Sequence, residues 1–102
     1  MAKLVSLFNP PADADAFARH LTGTHIPLAK KIPGLRSLEA SRGPVMTPEG
    51  PAPYHLVGVL SFDSMDDLQA GLGSPEGQAA AADIANFATG GVTVLVFDSE
   101  RH

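Results

Sequence analysis

Cysteine and tryptophan are absent from this chain of 102 residues, and tyrosine occurs once. Without cysteine there is no disulfide, no thiolate nucleophile and no sulfur-ligated zinc or iron–sulfur cluster. Charge is sparse and leans acidic: seven basic against eleven acidic residues give a net charge of −4. So few lysines and arginines cannot track a phosphate backbone, and nucleic acid is not an expected partner. No segment approaches the ~20 apolar residues that cross a bilayer, so no membrane partner is expected. The apolar start, Met1 to Phe8, is cut short by Asn9-Pro10-Pro11 with no small-residue cleavage site behind it. That speaks against a secretory signal and makes the cytoplasm the expected location.

Several chemical signatures are missing as well. There is no Gly-x-Ser-x-Gly elbow for a hydrolase nucleophile, and no glycine-rich phosphate cradle for a nucleotide. His20 and His25 are five apart, poor helical spacing for shared ligation, and no His-x-x-x-His pair occurs. Neither a metal nor another cofactor is expected.

What remains is a chain that is 44% apolar, enough for a core. Its length predicts a single domain over residues 1–102, small enough that a partner subunit would help its stability. Lys3 to Phe8 reads as a buried strand. Asp13 is placed to cap a helix bearing Phe17 and Leu21 on one face, and Thr22-Gly23-Thr24 weakens that helix before His25. Pro27 suits the first turn of a second helical piece ending near Ile32, and Pro33-Gly34 breaks it. Leu35 to Arg42 reads as an edge or interface strand, because neither alternating face is strongly apolar. Gly43 to Pro53, with four prolines and two glycines, predicts a loop. Tyr54 to Phe62 is the clearest strand and is apolar on both faces. Ser64 with Asp67, then Met65, Leu68 and Leu72, marks a helix; Ser74-Pro75-Glu76 caps another, which Gly90-Gly91 ends. Val92 to Phe97 is a last buried strand.

The order strand, helix, strand, strand, helix, strand predicts an α+β, ferredoxin-like fold: a four-stranded antiparallel sheet with helices on one face. The strands are nevertheless apolar on both faces. A second copy is the expected cover for the bare face, giving a homodimer whose sheets enclose a barrel.

The stretch His25-Ile26-Pro27-Leu28-Ala29-Lys30-Lys31-Ile32-Pro33-Gly34-Leu35 places an imidazole on a connection stiffened by proline. His25 is the first candidate for moving a proton; a structural histidine bonded to a loop carbonyl is the alternative. Tyr54 and His55 point to opposite strand faces, so at most one shares a pocket with His25. Tyr54 either donates to a developing oxyanion or sits at an interface with its hydroxyl in water. His55 reads as a surface or dimer-contact residue. Asp83 is placed to orient His25, to bond a backbone amide, or to face water. Phe8, Phe17, Phe62 and Phe87 are candidates for a pocket lining as well as for the core.

The spacing of Phe17, His25-Ile26-Pro27-Leu28-Ala29, Pro33-Gly34-Leu35, Tyr54-His55, Phe62-Asp63-Ser64, Ser74-Pro75-Glu76 and Asp83-Ile84-Ala85-Asn86-Phe87 resembles the EthD family. That family takes its name from a protein linked to bacterial ethyl tert-butyl ether degradation and belongs to the dimeric α/β barrels. The resemblance runs from about Val5 to Phe97. It implies a cofactor-free site of His, Tyr or Asp in an apolar pocket, as in related isomerases, cyclases and monooxygenases. The expected function is binding of a small, apolar, oxygenated metabolite, with His25, Tyr54 and Asp83 carrying a proton-transfer reaction in a degradation pathway. The alternatives are a ligand-binding or accessory protein that supports an oxygenase, and a structural dimer without a pocket.

Overall fold

The computed structural model describes all 102 residues. The elements run β1 (Ala2–Phe8), α1 (Ala14–His20), a π-helical turn (Leu21–His25), α2 (Ile26–Ala29) and β2 (Leu35–Ala40). Then come β3 (Met46–Thr47), β4 (Gly50–Pro51), β5 (Leu56–Phe62), α3 (Met65–Gly73), α4 (Pro75–Asp83), a 3₁₀ turn (Ile84–Asn86) and β6 (Val92–Asp98). Four strands pair antiparallel in the order β2-β5-β1-β6. This is the expected α+β, ferredoxin-like sheet. No helix is long and apolar enough to cross a membrane.

The caps form where the sequence places them. Asp13 accepts from the Ala16 amide at 3.0 Å, Ser64 from Asp67 at 3.1 Å and Ser74 from Gly77 at 3.0 Å. Each satisfies an amide that the first helical turn would otherwise leave without a partner. α3 and α4 meet tightly across Ser74: a Cβ on Gly77 would overlap the Gly71 carbonyl oxygen, so only glycine fits there.

The last strand, expected to be buried, is an edge strand with Val94, Leu95, Val96 and Phe97 exposed. Three further local expectations are revised. The helix does not weaken at Thr22-Gly23-Thr24; it runs on through a π turn into α2, with the Ile26 amide bonding the Leu21 carbonyl. Pro27 explains this, because its ring would clash with the carbonyl four residues back in a tight α-helix and its nitrogen has no hydrogen to give. A wider turn ahead of it relieves both. The segment Gly43 to Pro53 is not all loop, since β3 and β4 pair within it. β5 starts at Leu56, so Tyr54 precedes the strand instead of belonging to it.

β2 explains its own ambiguous pattern. Leu35 pairs with Phe62 and Ser37 with Ser61, so Arg36 is an extra residue in a bulge. The bulge turns Leu35 and Leu38 onto one face although they are three apart, and Leu38 and Ala40 lie opposite Leu60 and Gly58.

Partners across each ladder share a face. The helix-covered face carries Ala2, Leu4, Ser6 and Phe8 of β1 against Phe62, Leu60, Gly58 and Leu56 of β5. Two core clusters hold its ends: Ala2, Phe62 and Leu68 with α2 and α4 at one end, and Phe8, Phe17, Leu21 and Phe87 at the other. The opposite face carries Val5, Leu7, Val57, Val59, Leu95 and Phe97. It is left open, with Leu95 47% and Phe97 43% exposed.

Candidate active site

Between the two clusters lies a cavity of about 240 Å³, bounded by the sheet below and by the π turn, α2 and α4 above. Fifteen of its twenty lining residues are hydrophobic. That composition is typical of a small-ligand site, and the volume is just under the roughly 300–1,000 Å³ such sites usually have. His25 is the titratable imidazole in its wall.

The imidazole is held from behind. His25 Nδ1 lies 3.1 Å from Asp83 Oδ2, and His20 Nε2 lies 2.9 Å from Oδ1 and 3.0 Å from Oδ2 of the same carboxylate. The Asn86 side-chain amide donates to Oδ1 at 2.9 Å. Asp83 is buried at the end of α4, His25 is mostly buried and His20 is the more open of the two histidines. A carboxylate only accepts, so each ring nitrogen facing it carries a hydrogen. That fixes His25 as the Nδ1–H tautomer and leaves Nε2 a lone pair with no partner in the chain. No side-chain nitrogen or oxygen is sealed without a partner, so this Nε2 is accessible.

The π turn makes the arrangement possible. Residues five apart on an α-helix point about 140° away from one another. Widening one turn brings His20 and His25 round to the same side, where one carboxylate serves both. Phe87 is the floor under both rings, stacked on His20 at 5.1 Å and tilted against His25 at 4.8 Å. Phe8 and Phe17 pack on Phe87 in turn.

The structure therefore brings some expected residues together and separates others. His25 and Phe8 line the cavity. Asp83 stands behind His25, and Phe17 and Phe87 form the cluster supporting it. Phe62 belongs to the cluster at the other end of the sheet. Tyr54 does not reach His25. It lines a second hollow, of about 470 Å³, with His55, Ser41, Pro44 and Pro51. His55 is half-buried, edge-on to Phe17 at 5.0 Å. Sequence reasoning missed His20 as a partner of Asp83, because α-helical spacing sets it on the wrong side. Pro27 inside an otherwise continuous helical stretch was the available signal. Ser6 and Asn86 carried none.

The sequence model of the EthD domain matches residues 9–91. An uncharacterised 11.0 kDa protein from the thcB–thcC intergenic region of Rhodococcus erythropolis is 40% identical over 100 residues, 98% of this chain and 96% of that one. The crystal structure of an EthD family protein from Bacillus halodurans superposes with a TM-score of 0.88 at 34% identity, covering 98% of this chain and 99% of that one. Two remoter structures share the fold. A dimeric ferredoxin-like protein from Thermobifida fusca gives a TM-score of 0.69 at 18% identity, with coverages of 94% and 88%. The cofactor-independent oxygenase SnoaB from Streptomyces nogalater gives 0.67 at 14% identity, with coverages of 99% and 94%.

Burial lowers the His25 pKa from its ordinary 6.5; the hydrogen bond and charge of Asp83 oppose this without cancelling it, and His20 adds to it. For Asp83, burial pushes upward. The hydrogen bonds from Asn86, His20 and His25 outweigh it and hold the carboxyl below its ordinary 3.8. Both shifts have the same sign for stability. The folded chain refuses a proton that the unfolded chain accepts, so each contribution is complete above the unfolded pKa and is lost as pH falls below it. The His25 contribution therefore fades below 6.5 and the Asp83 contribution below 3.8. Urea unfolding should show stability falling from pH 7 to 5, with a shallower fall in His25→Gln. At neutral pH Asp83→Asn should cost at least about 2 kcal/mol, because hydrogen bonds to a charged group contribute roughly 1.5–3 kcal/mol each. An equal acid slope in His25→Gln, or an Asp83→Asn protein as stable as the parent, would contradict this assignment.

Proposed function

The chain belongs to the EthD family, and from that premise we propose that it binds a small, mostly apolar, oxygenated metabolite and transfers a proton on it without a cofactor. The observation that carries this reading is His25 in the wall of an apolar cavity, with Nδ1 anchored to a buried carboxylate and Nε2 without a partner in the chain. A lone pair so placed can take a proton from a carbon or hydroxyl of the ligand. Asp83 fixes the tautomer and stabilises the imidazolium that forms, and the returning proton goes to another ligand atom. Isomerisation, cyclisation, elimination and cofactor-free oxidation in a degradation pathway all begin with such a step. SnoaB, which shares the fold, is described as a cofactor-independent oxygenase, and that supports the reading.

One observation favours a second reading, a binding or accessory protein without turnover. Tyr54, the phenol expected to polarise a ligand oxygen, opens on the other hollow.

The working form in this proposal is a cytoplasmic homodimer. The open face offers Val5, Leu7, Val57, Val59, Leu95 and Phe97 to water, a contiguous apolar surface that soluble monomers avoid. Packing two such faces sheet to sheet buries it and closes a barrel. The Thermobifida fusca neighbour is described as dimeric.

Hydrogen–deuterium exchange at the acidic carbon of small ketones and phenols, followed by NMR in D2O, tests the chemistry. The parent protein should speed exchange and His25→Gln should reduce it at least about 100-fold, the usual scale of general-base catalysis, while its circular dichroism is unchanged. Ligand binding with no exchange above buffer would select the accessory reading. Light scattering tests the assembly. The parent should have twice the chain mass and Val59→Lys the chain mass; a monomeric parent would refute the dimer.

A further inference from the structure

Gly58 has no backbone reason to be glycine. Its φ is not among the positive ones, and a Cβ built on it would meet nothing closer than 3.9 Å. Glycine inside a strand costs stability, so a residue with a side chain would serve the sheet better. What glycine leaves at this position is space, because Gly58 lies in the cavity floor.

The register shows the shape of that space. Ala40 and Ser6 lie directly opposite Gly58 on either side, making a row of three small residues across β2, β5 and β1. Leu38, Leu60 and Leu4 form the next row on one side, and Leu56 and Phe8 the next on the other. Same-face rows repeat every two residues, so the two ridges stand about 13 Å apart at their backbones, with strands about 4.8 Å apart along the trench. Ala29, Gly77, Ala80 and Ala81 of α2 and α4 line the same cavity from above. Small residues below and above leave an elongated trench between the two ridges, with Leu21, Ile26, Leu72 and Ile84 closing its sides.

Ser6 carries the polar side chain on the helix-facing side of the floor; Glu39 also borders the cavity, but it pairs with Val59 and so belongs to the opposite face. The residue is 7% exposed, and its hydroxyl makes no hydrogen bond within the chain. It is not sealed off, since no sealed side-chain oxygen lacks a partner. A hydroxyl withdrawn from bulk water without a partner is costly, and the adjacent inward positions, Leu4 and Phe8, are apolar. A ligand oxygen would complete it.

We propose that Ser6 and Gly58 form a ligand subsite for a flat ring system of one or two fused rings, lying on Gly58 with an oxygen substituent hydrogen-bonded to Ser6 Oγ. The proposal rests on reading this cavity as the functional site. It names the ligand class that His25, in the same wall, would act on. Ser6 and Gly58 are binding residues here and hold no proton of the reaction.

Calorimetry and amide chemical-shift mapping with three probes test it: 2-naphthol, naphthalene and decahydro-2-naphthol, which is puckered. 2-Naphthol should bind, shifting the Ser6, Gly58 and His25 amides, and decahydro-2-naphthol should bind at least tenfold more weakly. Ser6→Ala should weaken 2-naphthol roughly three- to tenfold, the scale of one neutral hydrogen bond, and leave naphthalene unchanged. Gly58→Val should abolish binding of both aromatic probes. If that protein does not fold, Gly58→Ala should weaken both. Equal binding of the flat and puckered probes, no effect of Ser6→Ala on 2-naphthol, or shifts confined to the open sheet face would overturn the subsite. Binding as described without proton exchange at any carbon acid would leave the subsite standing and remove the proton-transfer reading instead.

Discussion

A buried carboxylate organises this molecule. Asp83 sits at the last residue of α4, where a lone negative charge would be strongly disfavoured. Three donors hold it there: His20 from the end of α1, His25 from the end of the π turn and Asn86 from the 3₁₀ turn. One side chain thus ties the continuous helical stretch at the start of the chain to the helix near its end. The tie also decides which nitrogen of His25 is left without a partner. In the proposed function the same group would serve both the fold and the chemistry.

The cavity itself arises from an interruption of the core. The aromatic cluster around Phe8, Phe17 and Phe87 and the cluster around Phe62 and Leu68 each fill one end of the helix-covered face. Between them the sheet offers Ala40, Gly58 and Ser6. Side chains this small cannot span the gap to helices that are themselves alanine-rich there, so the gap stays open. His25 lies at the aromatic end of this hollow, its ring against Phe87. The packing keeps the imidazole out of bulk water and supplies the desolvation that keeps it neutral.

Much of the fold was legible. Capping residues at Asp13, Ser64 and Ser74, the breaks at Pro33-Gly34 and Gly90-Gly91, and the apolar runs of β1 and β5 all act locally, within a few residues. They led to the correct element order and to a sheet with one bare face. Two features depend on partners distant in sequence and were not legible, and a third was local but misread. The bulge at Arg36 is defined only against β5, so Leu35 and Leu38 looked misaligned. The π turn needs the steric demand of Pro27 together with the pull of Asp83, so His20 and His25 looked incompatible. Tyr54 looked like a strand residue, but Pro51 and Pro53 lack ladder amides and delay the strand to Leu56. The pairing of His25 with Asp83 was available as one of several roles for that aspartate; nothing local selected it.

The central claim is that His25, in the cavity wall, keeps Nε2 unprotonated because Asp83 holds its Nδ1–H. Long-range ¹H–¹⁵N correlation of the histidine rings reads this directly. At neutral pH the His25 ring should be neutral, with Nδ1 carrying the hydrogen and Nε2 showing the shift of a bare nitrogen. A ring protonated at Nε2, or an imidazolium with both nitrogens protonated at that pH, would contradict the account.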